Sequence, residues 1–171
     1  MKRIILPALL VAILSACSST PTSDTGATIN DSSKGNVTSV DVTNPTKGKL
    51  PPELSDPQNI LSKRSVYFDY DKYVIRSDAQ PLIQAHARFL QSHSQFRVLV
   101  QGNTDERGSS EYNLALGQKR AEAVKKALLL LGASEAQVEA VSLGKEKPRC
   151  SDSSETCYAE NRRADIVYVG E

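Results

Sequence analysis

The sequence predicts an α/β two-layer sandwich in which helices cover one face of a small mixed sheet. Short β-like runs alternate with two long amphipathic segments, in the order β-α-β-α-(β)-β. All nine aromatic residues, six Tyr and three Phe, lie at or after Tyr67. Because aromatic side chains dominate protein cores, the folded domain is expected in the C-terminal part of the 171-residue chain.

The predicted domain begins with a strand and a helix. Residues 65–68 form a short β-like run, and a polar, aromatic turn follows at residues 69–73. Residues 77–80 have the spacing of a capping box. Pro81 falls in the first turn of the helix, where a proline removes at most one hydrogen bond, and apolar residues continue the helix to about Ser92.

A second strand and a long helix come next. Residues 96–100 are β-like, a helix is predicted over about 109–131, and Gly132 suits the position just past its end. The predicted core stripe of this helix has a spacing of three and four residues and consists of Leu114, Gly117, Ala121, Val124, Leu128 and Leu131.

The last part of the domain leaves one element open. Residues 134–137 repeat the capping-box spacing and start a short helix. Residues 138–143 could continue that helix or form a third strand, and residues 164–169 form the final strand.

The N-terminus has the pattern of an exported lipoprotein. The basic pair Lys2-Arg3 precedes an apolar run over residues 4–14, which is shorter than the roughly 20 residues that a bilayer requires. Leu14-Ser15-Ala16-Cys17 resembles a lipobox, which implies that residues 1–16 are a signal peptide and that Cys17 is acylated, for example with palmitate. The alternative is an ordinary signal peptide with a chance cysteine.

Residues 17–58 are predicted to be the lipidated cysteine and a flexible tether. The segment is rich in Ser, Thr, Gly, Asn, Asp and Pro and cannot bury enough apolar area to offset its ordering entropy. Ser18 stands where an Asp tends to retain lipoproteins at the inner membrane. The resemblance therefore implies an outer-membrane anchor, with the domain at residues 59–171 facing the periplasm.

The composition and motifs favour a binding protein over an enzyme. A net charge of +1 produces no strong field for nucleic acid. The serines lie in no Gly-x-Ser-x-Gly elbow, and residues 102–108 lack the Lys-Ser/Thr ending of a P-loop. Asp105 and Glu106 are adjacent and followed by Arg107, which opposes a raised carboxyl pKa, so they do not fit a glycosidase pair. We predict no catalytic residues and no cofactor.

The histidines and the remaining cysteines do not indicate a metal site. His86 and His93 are seven residues apart and are predicted to be solvated on the first helix. Cys150 and Cys157 lack two further nearby ligands for zinc, and in an exported protein they favour one local disulfide. That disulfide would hold the loop before residues 161–163.

The most informative segment spans residues 102–124. A glycine-bounded loop carries Asp105, and the helix that follows carries Arg120 among small and apolar residues. Opposite charges beside one element suggest a site for a ligand that bears both charges. Arg120 lies about 16 Å along the helix from its start. For Asp105 to come close to Arg120, the loop must fold back along the helix or the helix must bend. We predict that the two side chains share one pocket.

Six motifs over about 100 residues resemble the OmpA-like peptidoglycan-binding family. They are Phe68-Asp69-Tyr70-Asp71-Lys72-Tyr73, Gly102-Asn103-Thr104-Asp105-Glu106-Arg107-Gly108, Tyr112-Asn113-Leu114, Arg120-Ala121, Gly144-Lys145-Glu146-Lys147-Pro148 and Asn161-Arg162-Arg163-Ala164. Asn103 departs from the His that lipoprotein members often have there. The lipobox and tether favour those lipoprotein members over the porin-fused ones.

The resemblance implies that the ligand is the diaminopimelate residue of the peptidoglycan stem peptide. Asp105 matches the aspartate that pairs with its ammonium, and Arg120 matches the arginine whose planar fork binds its carboxylate. The matching motifs add further candidate ligand contacts, which are Asp69, Tyr70, Asp71, Asn113, Asn161 and Arg162.

The same resemblance implies partners and a cellular role. Lipoprotein members bind the periplasmic β-propeller protein TolB, meet other Tol and OmpA-like proteins, and serve envelope integrity and cell division. Two alternatives remain, an OmpA-like lipoprotein outside the Tol system and an enzyme that acts on peptidoglycan. At single positions, Asp105 could cap the long helix, Arg120 could be solvated, and Arg162 and Arg163 could form structural ion pairs.

Overall fold

The computed structural model describes residues 50–169. The predicted signal peptide, the predicted acylation site Cys17 and the predicted tether up to residue 49 lie outside the described residues. No helix within the described range is long and apolar enough to cross a membrane.

Four strands and four α-helices form the described fold. The strands are β1 (Ser65–Tyr67), β2 (Val98–Asn103), β3 (Val138–Gly144) and β4 (Arg163–Tyr168). The helices are α1 (Pro52–Ser55), α2 (Gln80–Ser92), α3 (Ser110–Leu130) and α4 (Glu155–Asn161), with short 3-10 helices at Ile60–Ser62, Ser77–Ala79 and Glu135–Gln137.

The strands form one mixed sheet in the order β1-β4-β2-β3. β4 is antiparallel to both β1 and β2, whereas β2 and β3 are parallel. A parallel pair requires a crossover connection, and α3 supplies it by packing on both β2 and β3. The open element at residues 138–143 is therefore a strand, and the predicted α/β fold class is confirmed.

The core lies between the sheet and the two long helices. Its fully buried apolar side chains include Val66, Val100 and Ile166 from the sheet, Ile83 and Leu90 from α2, and Val124 and Leu128 from α3. Leu54, which the sequence assigned to the tether, is also in this core with 1% exposure. The folded structure thus begins before residue 59.

Two glycines bring the end of β2 against the middle of α3. A Cβ atom on Gly102 would lie 1.8 Å from the Gly117 carbonyl oxygen, and one on Gly117 would lie 2.8 Å from the Gly102 carbonyl oxygen. Only glycine permits this approach of strand and helix backbone. The contact places the loop after β2 beside the middle of α3 rather than only at its start.

Several predicted boundaries were wrong. The N-cap residue of the 3-10 helix before α2 is Arg76, and it makes no side-chain capping bond, so residues 77–80 form no capping box. Pro81 does lie in the first turn of α2. The second strand begins at Val98 rather than residue 96, because Phe96 joins a turn in which its N–H donates to the His93 carbonyl.

The predicted core stripe of α3 was wrong at both ends. Leu114 and Leu131 are 54% and 39% exposed. The buried face instead runs through Asn113, Leu116 and Arg120 together with the central residues of the stripe. Asn113 belongs to this face because it bonds carbonyls of the loop just before α3, and Arg120 because it bonds carbonyls of distant segments. Hydrophobic periodicity reveals neither kind of partner.

His86 contradicts the prediction of a solvated histidine. It has 0% exposure. Its Nε2 lies 2.9 Å from the Lys63 carbonyl oxygen, and its Nδ1 lies 2.9 Å from the Tyr168 hydroxyl. Since a carbonyl only accepts, Nε2 carries the proton and Nδ1 accepts from Tyr168. His93 is half-buried and stacks on Phe89 with ring centroids 4.2 Å apart.

Candidate binding site

A cavity of about 140 Å³ opens where the turn after β1, the loop after β2 and helix α3 meet. Asp105 and Arg120 both line this cavity, as the sequence predicted. Its lining consists of Tyr70, Asp71, Thr104, Asp105, Arg107, Gly108, Tyr112, Asn113, Leu116 and Arg120. The loop therefore folds back along the helix, which answers the distance question that the sequence raised.

Arg120 is completely buried and is held by main-chain carbonyls. Its Nε donates to Lys72 O at 2.9 Å, Nη1 donates to Asn103 O at 2.8 Å, and Nη2 donates to Asp69 O at 3.3 Å. A guanidinium has five N–H groups, so these three bonds leave two for another acceptor. Arg120 is thus a rigid, oriented donor in the wall of the cavity.

The charge of Arg120 survives its burial. Burial lowers the pKa of the Arg120 guanidinium to about 10, against the opposing effect of the Asp105 carboxylate. The side chain therefore remains protonated at neutral pH. A permanent cation inside the cavity favours an anionic group on any ligand that enters it.

Asp105 is 4% exposed and its carboxylate is already hydrogen-bonded. Oδ1 accepts the backbone N–H of Arg107 at 3.2 Å, and Oδ2 accepts Arg107 Nη2 at 2.6 Å and Arg162 Nη1 at 3.3 Å. Burial by itself would raise the pKa of Asp105. The hydrogen bonds and charge of Arg107, with a smaller contribution from Arg162, outweigh burial and hold this pKa below its ordinary value.

Four alternating charges close into a ring that we call the charge ring. It consists of Asp105, Arg107, Glu155 and Arg162. Besides the Asp105 contacts, Arg162 Nη2 lies 2.7 Å from Glu155 Oε1, and Arg107 Nη1 lies 3.5 Å from Glu155 Oε2. Glu155 was missed from the sequence because α4 was not predicted. The Ser154-x-x-Cys157 start of that helix, where Ser154 caps Cys157 N–H, was the available signal.

Two tyrosine rings enclose the Arg107 guanidinium. Its Cζ lies 4.2 Å from the Tyr70 ring centroid and 4.4 Å from the Tyr158 ring centroid. Both distances are within the range of cation–π attraction. Tyr158 Oη also donates to Glu106 Oε1 at 2.8 Å, so α4 is tied to the loop after β2.

The turn after β1 forms the opposite wall of the cavity. Asp71 has a positive φ of 55°, a conformation that Asp tolerates better than most residues. Its carboxylate accepts a hydrogen bond from the Tyr112 hydroxyl of α3. The Asp69 side chain points outward, 3.8 Å from Arg76, and only the Asp69 carbonyl faces Arg120.

The two predicted asparagines hold loops in place. Asn113 lines the cavity, and its Nδ2 donates to the carbonyls of Arg107 at 2.9 Å and Ser109 at 3.0 Å. Asn161 accepts the N–H groups of Arg149 and Cys150 and donates to the Cys150 carbonyl. It thereby secures the loop that ends in α4.

The cysteine pair joins that loop to α4. A disulfide joins Cys150 and Cys157, and Cys157 is buried. Within residues 50–169, no cluster of three or more His, Cys, Asp or Glu residues is placed to hold a metal ion.

The predicted site residues divide into two groups. Tyr70, Asp71, Asp105, Asn113 and Arg120 line the cavity. Asp69 and Arg162 do not line it but bond the lining residues Arg120 and Asp105, whereas Asn161 bonds the loop at Arg149 and Cys150.

Other cavity residues were missed, namely Thr104, Arg107, Gly108, Tyr112 and Leu116. All but Leu116 belong to the motifs at residues 102–108 and 112–114, so their motif membership was the available signal. Asn103, where the sequence departs from the family pattern, does not line the cavity. Its side chain donates to Gln101 O at 3.0 Å.

Comparison with known proteins places this chain in a family. The model of the OmpA family matches residues 67–162, which is more than half of the chain. The chain belongs to the OmpA family. This is not a family of enzymes, so the prediction of a non-enzymatic protein is confirmed.

The chain is most informatively compared with peptidoglycan-associated lipoproteins. That of Pasteurella multocida is 48% identical over 104 residues, which cover 61% of this chain and 69% of that protein. That of Legionella pneumophila is 39% identical over 169 residues, with 94% and 92% covered. The resemblance seen in the motifs is therefore confirmed.

Solved structures agree with this relationship. The crystal structure of the peptidoglycan-associated lipoprotein from Burkholderia pseudomallei is 62% identical, with a TM-score of 0.67, and covers 68% of this chain and 98% of that chain. The C-terminal domain of Helicobacter pylori MotB is 23% identical, with a TM-score of 0.58 over 62% of this chain and 84% of its own. This second likeness shows the fold alone.

Proposed function

We propose that the protein binds peptidoglycan non-covalently through the diaminopimelate residue of the stem peptide. One observation carries this proposal: Asp105 and Arg120 line the same cavity of about 140 Å³. The free end of diaminopimelate bears an ammonium and a carboxylate on one carbon. A site that binds it needs an anion and an oriented cation within a few ångströms of each other.

Each charge of the ligand has a proposed partner. The two N–H groups of Arg120 that bond no main-chain carbonyl bind the carboxylate, and the Asp105 carboxylate binds the ammonium. Arg120 cannot rotate away, because three carbonyls fix its guanidinium. The pre-set geometry reduces the entropy that binding would otherwise cost.

The remaining candidate residues have supporting or rim positions. Tyr70, Asp71 and Asn113 line the cavity and are proposed to contact the stem peptide there. Asp69 acts through its carbonyl on Arg120, and Arg162 acts through Asp105. Asn161 and the Cys150–Cys157 disulfide are proposed to hold α4 against the site.

We further propose that acylated Cys17 anchors the protein in the outer membrane, with residues 17–58 acting largely as a tether and the domain facing the periplasm. The lipobox supports this anchor, and the relatives are lipoproteins by name. The protein would then link the outer membrane to the cell wall. Binding of TolB and a role in the Tol–Pal system and cell division are part of the proposal and rest on the family resemblance.

Sedimentation with purified sacculi tests the peptidoglycan proposal. The chain from Ser18 onward would be compared with Asp105→Asn and Arg120→Ala, and with Arg88→Ala as a matched control because Arg88 is an exposed arginine of α2. We expect at least about a tenfold loss of binding for both site variants and none for the control. Thermal unfolding of each variant separates lost binding from lost folding.

Two outcomes would contradict the proposal. Equal sedimentation of folded Asp105→Asn and the parent protein would remove the site. Release of soluble muropeptides by the purified protein would indicate an enzyme instead. Pulldown with TolB tests the Tol assignment separately, since its loss alone would leave a peptidoglycan-binding lipoprotein outside that system.

A further inference from the structure

The anion of the proposed site is already occupied by cations of the protein itself. Asp105 Oδ2 lies 2.6 Å from Arg107 Nη2 and 3.3 Å from Arg162 Nη1. A ligand ammonium that approached this carboxylate would therefore meet two guanidinium groups. Like charges at such separations repel strongly in a partly buried site. Binding of an ammonium requires that one of the arginines give way.

The two arginines differ in how firmly they are held. The Arg162 side chain is 8% exposed, donates from Nε to Phe68 O and pairs with Glu155 at 2.7 Å. The Arg107 side chain is 35% exposed, and its buried Nε has no hydrogen-bond partner. Arg107 is also in the loop and lines the cavity, whereas Arg162 does not. Arg107 is thus the cation that can move.

Glu155 provides a second carboxylate for Arg107. Arg107 Nη1 is 3.5 Å from Glu155 Oε2 while Nη2 remains on Asp105. The Tyr70 and Tyr158 rings lie at 4.2 and 4.4 Å from the guanidinium carbon and attract a cation at either end of a short shift. A small displacement between these rings would exchange one carboxylate for the other while both rings stay in contact with the guanidinium.

We propose that Arg107 is an internal competitor of the ligand ammonium for Asp105, and that Glu155 is the positioning residue that receives Arg107 when the ligand binds. This inference rests on the proposed function. The binding free energy of the site then depends on the difference in strength between two ion pairs of Asp105, one with Arg107 and one with the ligand ammonium. Removal of the internal cation strengthens binding, whereas removal of its receiving carboxylate weakens it.

Calorimetric titration with a soluble stem tripeptide, L-Ala-γ-D-Glu-meso-diaminopimelate, tests the exchange. Arg107→Gln removes the competing charge and is expected to bind about fivefold more tightly than the parent chain. Arg107→Lys keeps the competing charge and is expected to bind less tightly than Arg107→Gln. A merely structural role of Arg107 in the loop predicts weaker binding for Arg107→Gln, so the sign of the change is decisive.

Glu155→Gln is the second test and changes a residue that does not itself line the cavity. It is expected to weaken binding by about threefold in the parent chain and by less in the Arg107→Gln background, because no cation then needs to be received. Arg88→Gln is the matched surface control. Unfolding temperatures are recorded for all variants, and Glu155→Gln decides the question if Arg107→Gln does not fold.

The outcomes separate this inference from the proposed function. If Asp105→Asn leaves tripeptide binding unchanged, the proposed function fails. If Asp105→Asn abolishes binding while folded Arg107→Gln binds equally or more weakly, only the exchange is overturned. Unchanged or tighter binding by Glu155→Gln in the parent chain would also overturn it.

Discussion

The charge ring and the surroundings of His86 bury titratable groups in opposite ways. In the ring, Asp105 and Arg162 are almost fully buried and form an ion pair at 3.3 Å. His86 is equally buried but lies beside aromatic rings. The Tyr168 ring is next to His86, and the Phe89 ring packs against Tyr168. Burial is the largest cause that lowers the pKa of His86, and the charge of nearby Arg64 lowers it further.

A buried charge in the charge ring is accompanied by partners of opposite charge. Each member of the charge ring contacts two groups of opposite charge, so desolvation is offset. His86 contacts a carbonyl and a hydroxyl, and neither group carries a negative charge that would offset the desolvation of an imidazolium. A similar degree of burial therefore accompanies an ion pair in the charge ring and a neutral imidazole at His86.

Replacement of Arg120 by Met should have the largest effect on stability. It would leave the carbonyls of Lys72, Asn103 and Asp69 without their donor, and each unsatisfied buried group costs about 1–3 kcal/mol. We expect the free energy of unfolding in urea to fall by about 3 kcal/mol. Arg88→Met on the surface should change it by less than about 0.5 kcal/mol. Equal effects of the two variants would mean that the buried arginine is not a structural anchor.

Gly117→Ala tests the contact that brings the loop to Arg120. A Cβ there would lie 2.3 Å from Ser142 Oγ and 2.8 Å from the Gly102 carbonyl oxygen, so strand and helix must separate. We expect a loss of about 2 kcal/mol in the free energy of unfolding, with weaker sacculus binding. Helix propensity alone predicts a gain of about 1 kcal/mol. A stabilised variant would therefore show that this close packing is dispensable.

The pH dependence of stability should distinguish the two buried regions. The pKa of His86 is lowered from 6.5, so below that value the unfolded chain binds a proton that the folded chain does not. The free energy of unfolding should fall as the pH is lowered below 6.5, by at most about 1.4 kcal/mol per pH unit. His86→Gln should remove this slope, and His93→Gln should retain it. A slope unchanged in His86→Gln would assign the effect to another group.

Asp105 should act in a more acidic range. Its folded-state pKa lies below the ordinary value of 3.8, so its stabilising contribution is complete above that value and is lost as the pH falls through the folded-state pKa. Asp105→Asn should flatten the stability curve below about pH 4 and leave the slope near pH 6 intact. If Asp105→Asn instead changed the slope near pH 6 and left the curve at more acidic pH unaltered, the two regions would be coupled.

The exposed ion pair of Arg76 provides the smallest expected effect. Arg76 pairs with Asp78 at 2.5 Å, and both side chains are largely solvated. Arg76→Gln should change the free energy of unfolding by less than about 0.5 kcal/mol, because solvent screens such pairs. A larger loss would indicate that its weaker contact with Asp69 helps to hold the turn beside Arg120.

Local patterns predicted much of this protein from sequence. Short β-like runs located β1, β2 and β4, apolar residues located α2, the three-four spacing located α3, and Ser134 to Gln137 form the predicted capping box. Asp105 and Arg120 were predicted as cavity residues because their charges and motif could be read along the chain. These features depend on neighbours within one element or one loop, and such neighbours are visible in a sequence.

Tertiary structure alone decided the features that join distant segments. Residues 138–143 became a strand because β2 offered a parallel partner, and His86 was buried by Lys63 and Tyr168. The charge ring depends on Glu155, which is 50 residues from Asp105 in the sequence. The sequence determines which charges are available, whereas packing determines which of them meet and whether burial leaves them charged.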